Sequence, residues 1–273
     1  MRMDLKKKAK KIRRDIVTLI HRAGTGHIGG DLSVTDILVT LYYKHLNITP
    51  DTMENPDRDR FIMSKGHSVE SLYCVLADRG FFPAEELATY SQYGSKYIGH
   101  PNNKINGIEM NTGSLGHGLS LGVGMALAGK MDQKDYRVYA VMGDGEMAEG
   151  SVWEAVMAGA HYKLDHLTAI VDRNRLQISG STEAVMTQDR QEERWAAFGW
   201  NVFSVNGNDT EAIDKALEKA KEKKGQPTVI IANTVKGCGV SFMENQAGWH
   251  HRVPKDDEYA QAMKELSETG DVL

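Results

Sequence analysis

The segment Val138–Gly150 reads VYAVMGDGEMAEG: five apolar residues stop abruptly at Gly143-Asp144-Gly145, with Glu146 and Glu149 close behind. A short apolar run ended by glycine has the length and composition of a buried strand. The aspartate at its end has two readings. Its short side chain can bond nearby backbone N–H groups and open a turn or helix, or its carboxylate can hold a metal ion. Outward from this segment, short apolar runs alternate with helical patterns from about Arg60 onward. The predicted strands are Phe61–Ser64, Val138–Met142, Leu167–Asp172, Asn201–Val205 and Thr228–Asn233. The predicted helices between them are Val69–Asp78, Leu119–Ala128, Val152–Tyr162, Gln191–Phe198 and Glu211–Lys223. Such alternation predicts an α/β fold, with a mainly parallel central sheet and helices on both faces.

The chain has 273 residues and no repeat, low-complexity segment or proline-rich linker, so one domain over 1–273 is expected. A net charge of −4 speaks against a nucleic-acid partner, which needs a basic field to displace counterions. The one basic cluster is local. In LKKKAKKIRRDIVTLIHRAG, residues Leu5, Ala9, Ile12, Ile16, Leu19 and Ile20 recur at helical spacing, which places the lysines and arginines on an opposite, solvated face. No stretch resembles a signal peptide or a membrane span, so no membrane partner is expected. Only Cys74 and Cys238 are present, too few for a disulfide framework, and a reducing cytoplasm is the expected compartment. Three regions, Tyr90–Gly118, Ser179–Arg190 and Lys236–Pro254, lack strand or helix patterns and are rich enough in glycine, histidine and asparagine to suggest functional loops. The last stretch, KDDEYAQAMKELSETG, reads as a closing amphipathic helix.

Asp144 follows one predicted strand and Asn174 follows the next, in IVDRN. If those strands are parallel neighbours, both side chains emerge at the carboxyl edge, where open α/β sheets bind ligands. A carboxylate, an amide oxygen and a backbone carbonyl near Leu176 would suit Mg²⁺, a hard cation that completes its octahedron with phosphate oxygens and water. Gly143 and Gly145 would let a phosphate approach the backbone, and a helix starting near Ser151 would turn its N–H groups toward negative charge.

Four of the ten histidines sit beside glycine, in TGH (His27), SKGH (His67), GHP (His100) and LGHG (His117). No His-x-x-x-His or Cys-x-x-Cys spacing supports zinc. The glycines of TGSLGHG do not have the spacing of a dinucleotide fingerprint, and no strand precedes them.

GDGEMAEG followed by VDRNRLQISG resembles the thiamine-diphosphate motif, with Arg173 in place of the first of its paired asparagines. Together with TGHIGGDLS, SKGH, GHP, NTGSLGHGLSLGVGMA and AGWHHRVP, it resembles the transketolase family over nearly the whole chain. The resemblance implies thiamine diphosphate and Mg²⁺ as cofactors, with Asp144, Asn174 and the Leu176 carbonyl as the metal shell. It implies that His27, His67, His100 and His250 line the reacting cleft, where histidines can donate hydrogen bonds or shuttle protons. His67, Gly113, Leu115, Gly143, Asp144, Gly145, Glu149, Asn174, Ile178 and His250 are the implied cofactor-binding positions. Gly113 and Leu115 would lie against the pyrimidine and Glu149 at an interface between cofactor sites. Gly122 and Gly124 would let a helix pack closely, and His117 receives no role.

Transketolases need a further glutamate, in a pyrimidine-binding domain, to activate the cofactor. No segment of this sequence matches it. The resemblance is therefore to the amino-terminal subunit of a split transketolase, with a carboxy-terminal partner chain, two copies of each, sugar-phosphate substrates and two-carbon ketol transfer in the pentose phosphate pathway. A deoxyxylulose-phosphate synthase, the alpha subunit of a 2-oxo acid dehydrogenase, and a non-catalytic cofactor-binding module are the alternatives.

Overall fold

Residues 138–142 of the opening segment are buried on both sides, as a strand in the middle of a parallel sheet must be. The computed structural model describes residues 3–267. In chain order the elements are helices α1 (Leu5–Ala23) and α2 (Ile28–Thr40), strand β1 (Arg60–Met63), α3 (Val69–Asp78), α4 (Gly118–Met131), β2 (Val138–Gly143) and α5 (Gly150–His161). There follow β3 (Leu167–Arg173), β4 (Leu176–Gln177), β5 (Gly180–Ser181), α6 (Thr182–Val185), α7 (Gln191–Ala197), β6 (Asn201–Asn206), α8 (Thr210–Glu222), β7 (Thr228–Asn233) and α9 (Asp256–Ser267).

Five strands pair in parallel in the order β1-β2-β3-β7-β6. Alternate side chains divide between two cores. Phe61, Met63, Tyr139, Val141, Ile170 and Ile230 point to one, which α1, α2, α3, α8 and α9 cover. Ile62, Val138, Ala140, Met142, Ala169 and Val171 point to the other, under α4, α5 and α7. The predicted strands and the two-sided arrangement are all present.

Helix α2 is absent from the sequence-based expectation. All thirteen of its residues are buried, so it has no polar face to create an amphipathic period, and Gly29-Gly30 weighs against helix. Both glycines are required by close approach. A Cβ would lie 2.7 Å from the Trp249 carbonyl at Gly29 and 2.7 Å from Ser68 Oγ at Gly30.

Helix α1 begins at Asp4, which accepts the Lys7 N–H, and ends at Gly24 in a left-handed cap with φ 68°. Its basic face is not wholly solvated as expected. Arg13 is buried, paired with Asp36 and donating to the Leu32 carbonyl at 3.0 and 3.2 Å, because α2 lies across it. Helix α9 sets Ala262 and Leu266 against α1, and the last residues of the predicted closing helix, 268–270, lie outside the described residues.

The Tyr90–Gly118 loop is irregular as expected. Ser179–Arg190 is not: Gly180–Ser181 pairs antiparallel with Leu176–Gln177, and Ser181 caps the single turn of α6. Lys236–Pro254 is irregular apart from a 3₁₀ turn at Ala247–Trp249.

Helices α4 and α5 are apolar nearly all round. Gly122 packs toward the sheet, where its Cβ would meet Leu167 at 3.4 Å, in line with expectation. Gly124 does not, because it faces open space among the described residues. Beside it Leu121 and Met125 are only half-buried, and Met157 of α5 is 50% exposed.

Candidate active site

Parallel pairing of β2 with β3 puts Gly143 opposite Asp172, so the two strands end in step at the carboxyl edge. Asp144 follows immediately and is buried. Its Oδ1 accepts the Gly145 N–H at 2.9 Å, and its Oδ2 accepts the Arg175 N–H at 2.5 Å. Arg175 adopts a left-handed φ of 63°, which bends the chain just past Asn174. Asn174 Oδ1 accepts the Leu176 N–H at 3.1 Å, and its Nδ2 donates to Ser33 Oγ at 3.4 Å. Asn174 and Leu176 therefore belong to one tight turn, and Asp144 is bonded to it from the end of the neighbouring strand. Burial, and then the nearby charge of Asp172, push the Asp144 carboxyl up to about 6. A buried carboxylate next to another is stabilised by a cation, and this oxygen-only donor set fits a hard one.

The two glycines beside Asp144 differ. Gly143 has only Lys65 Cβ near, at 4.0 Å, whereas a Cβ on Gly145 would strike Gln177 Oε1 at 2.6 Å. The space that a Cβ on Gly145 would need is thus taken by the β4–β5 hairpin, so only glycine fits there. Ile178, at the hairpin tip, is 76% exposed. Glu149 is exposed and precedes α5 without a capping bond. A 3₁₀ turn at Gly145–Ala148 intervenes before that helix. Glu146, not anticipated from sequence, is buried and ties this turn to its neighbours by accepting from Ser64 Oγ, the Gly116 N–H at 2.8 Å and the Gly143 N–H at 3.1 Å.

Gly113 has φ 130°, and a Cβ there would overlap His100 Cδ2 at 2.4 Å. That close approach fixes the loop carrying His100. Leu115 is half-buried, with its carbonyl 2.9 Å from His117 Nδ1.

The four predicted histidines converge. Ring centroids of His27 lie 5.4 Å from His67, 6.4 Å from His100 and 5.7 Å from His250, with His67 and His250 stacked at 5.3 Å. His251 joins them 4.6 Å from His27, a member that sequence reasoning missed although it adjoins His250. Burial, then the nearby rings of His251 and His100, lower His27 to about 4. Burial, then Lys236, lowers His250 to about 3, and burial, then Lys65, lowers His67 well below its usual value. Burial also lowers His100. Near neutral pH each ring is uncharged, with one donor and one acceptor nitrogen. His27 Nδ1 is buried without a partner among the described residues, free for a ligand.

Folded His27 refuses a proton that the unfolded chain accepts below about pH 6.5, so it removes stability as pH falls from there toward 4. His27→Gln is therefore expected to gain stability relative to the parent between pH 7 and pH 5. Parallel melting curves check this, and a difference that stays constant with pH would show an ordinary solvated histidine.

Two buried lysines were not anticipated, because lysine in a sequence normally signals surface. Lys65, inside SKGH, pairs with Asp172 and donates to the Gly30 carbonyl at 3.1 Å. Lys236, just past β7, lies 3.0 Å from His250 Nδ1 and 3.5 Å from the Leu176 carbonyl. Each is 1% exposed. Burial, and then the charge of Lys65, push Lys236 down to about 8. Its position beyond the end of the strand next to β3 was the available clue. Two ammonium groups among neutral imidazoles fit a polyanion such as a diphosphate.

Comparison with known proteins accords with this chemistry. Residues 5–269 match the family model described as transketolase, thiamine diphosphate binding domain. One of the subunits of the apulose-4-phosphate transketolase of Phocaeicola vulgatus is 49% identical over 264 residues, 97% of this chain and 94% of that one. The 6-deoxy-6-sulfo-D-fructose transketolase subunit SqwG of a Clostridium strain is 40% identical over 269 residues, 98% of each. The transketolase structure from Leishmania mexicana superposes with a TM-score of 0.92 at 28% identity, covering 98% of this chain. This chain spans only 42% of that solved chain. No helix among the described residues is long and apolar enough to cross a membrane. The chain belongs to the transketolase family, to which it contributes a thiamine-diphosphate-binding domain.

Proposed function

We propose that this chain is the cofactor-binding subunit of a two-chain transketolase, which moves a two-carbon ketol unit from a ketose to an aldose phosphate. The observation that carries the reading is the convergence of neutral histidines and two buried lysines beside Asp144 and the Asn174–Leu176 turn. When bound, thiamine diphosphate supplies the electron sink for carbon–carbon bond cleavage that no side chain offers. Asp144, Asn174 and the Leu176 carbonyl would hold Mg²⁺. Lys236, His67 and His250 would hold the diphosphate. Gly113, Leu115, Glu149 and Ile178 would border the rest of the cofactor, beside the partner chain. His27 and His100 would bind the substrate hydroxyls and accept or return a proton as hydroxyl and carbonyl interchange.

The two relatives named above act on a sugar phosphate and a sulfonated sugar, so the donor here is a ketose with an anionic group remote from its carbonyl. The relatives named as subunits support a separate partner chain, which would bring the activating glutamate. The uncovered faces of α4 and α5 support its docking next to the site, and a pair of each chain is the assembly that such sites favour. The test is ketol transfer from xylulose 5-phosphate or apulose 4-phosphate to an aldose phosphate, with thiamine diphosphate and Mg²⁺. Turnover is expected only when both chains are present. Failure of the paired chains to bind thiamine diphosphate would overturn the reading.

A further inference from the structure

Behind the histidines, two acidic side chains meet away from solvent. Asp31 of α2 and Glu70 of α3 are both 0% exposed. Asp31 Oδ1 accepts the Ser71 N–H at 2.8 Å, and Glu70 Oε1 accepts the Tyr90 hydroxyl at 2.6 Å. Their other oxygens, Asp31 Oδ2 and Glu70 Oε2, are buried and meet no other donor among the described residues. The Ser71 N–H that holds Asp31 belongs to the residue next to Glu70, so the packing of α2 on α3 sets the two carboxyls against each other. Ionised carboxylates only accept, so two of them can bond only when one holds a proton.

We propose that Asp31 and Glu70 share one proton as an acid–carboxylate couple that positions His27 and the His100 loop for catalysis. The couple touches both supports. A Cβ on Gly26, the residue before His27, would sit 2.7 Å from Glu70 Oε1, so that backbone lies directly on the carboxylate. The peptide N–H of His27 also favours the Glu70 anion. Tyr90, bonded to Glu70, opens the loop that carries His100. One turn along α3 from Glu70, Tyr73 donates to the carbonyls of Ile98 at 2.9 Å and His100 at 3.2 Å. His27 and His100 are therefore both referenced to the same turn of α3.

Surrounding charges assign the proton. Burial, then Glu70, raise Asp31 well above the usual carboxyl range, and Lys65 and Lys236 do not reverse this. Glu70 is raised to about 6 by burial, against the hydrogen bonds of Tyr90, Asp31 and the His27 N–H. Tyr73 and Cys74 complete the surroundings, and both stay protonated because burial raises them. Asp31 is the acid and Glu70 the anion.

The first test is thermal unfolding of the parent, Asp31→Asn and Glu70→Gln between pH 4 and pH 8. Above about pH 4 the unfolded chain releases the proton that folded Asp31 keeps, so Asp31 removes stability as pH rises. Asparagine supplies the same donor without ionising. Asp31→Asn is expected to melt increasingly above the parent as pH rises, and Glu70→Gln to show the same trend. A difference independent of pH for both variants overturns the shared proton.

The second test rests on the transketolase reading and uses both chains with cofactor. Asp31→Ala is expected to lower kcat roughly 100-fold through misplaced histidines, with cofactor affinity unchanged. Asp31→Asn should restore most of that loss. Equal losses in Asp31→Ala and Asp31→Asn would overturn the positioning role. If the parent shows no ketol transfer, the reaction assignment fails, while the melting series still decides the couple.

Discussion

Lys65→Met is expected to lower the unfolding free energy of the chain by about 3–5 kcal/mol, the usual loss when one partner of a buried ion pair is removed. Asp172 is fully buried and receives Lys65 Nζ, Ser33 Oγ at 2.6 Å and Thr234 Oγ1. Methionine preserves the apolar stem of the lysine but leaves the Asp172 charge facing Asp144, which already feels it. Adding Asp172→Asn to Lys65→Met should recover about half the loss, since the remaining hydroxyls can serve an amide oxygen. Urea unfolding of the parent, single and double variants measures both effects. A loss below about 1 kcal/mol would mean that the pair behaves as a solvated surface pair.

Asp144→Ala is expected to act in the opposite direction on stability and function. Cofactor affinity of the two-chain enzyme, titrated by calorimetry with thiamine diphosphate and Mg²⁺, should fall roughly 100-fold, equivalent to about 2.7 kcal/mol. The same change removes a buried carboxylate raised by burial and by Asp172, so the chain without Mg²⁺ should melt no lower than the parent. Unchanged affinity would leave Asp144 with only its bonds to Gly145 and Arg175, the turn-capping reading of the sequence.

How much of this was legible depended on whether a residue's neighbours lie close in sequence. The strands were legible because burial on both faces demands continuous apolar runs, and GDG with IVDRN marked adjacent strand ends. Helix α2 was hidden for the same physical reason, since complete burial erases the polar face that identifies a helix. Arg13 read as surface and the two site lysines drew no reading, because their burial depends on Asp36, Asp172 and the His250 loop, all distant in sequence. Individual histidines were visible beside glycine, but their convergence was legible only through the family resemblance, because their spacing in sequence does not show it. The Asp31–Glu70 couple gave no signal at all, being two ordinary acids that meet only when α2 packs on α3.

The strand register has a consequence for which parts of the chain can change length. Asp144, Asn174 and Lys236 follow the ends of β2, β3 and β7, and pairs such as Gly143 with Asp172 and Arg173 with Asn233 keep those ends level. Because side chains alternate between faces, a one-residue insertion within β3 would rotate everything beyond it to the wrong core and pull Asn174 out of step with Asp144. The connections at the opposite edge, residues 132–137, 162–166 and 223–227, carry none of the site residues and are free to lengthen. Engineered insertions belong at that edge, where the molecule can grow without disturbing its chemistry.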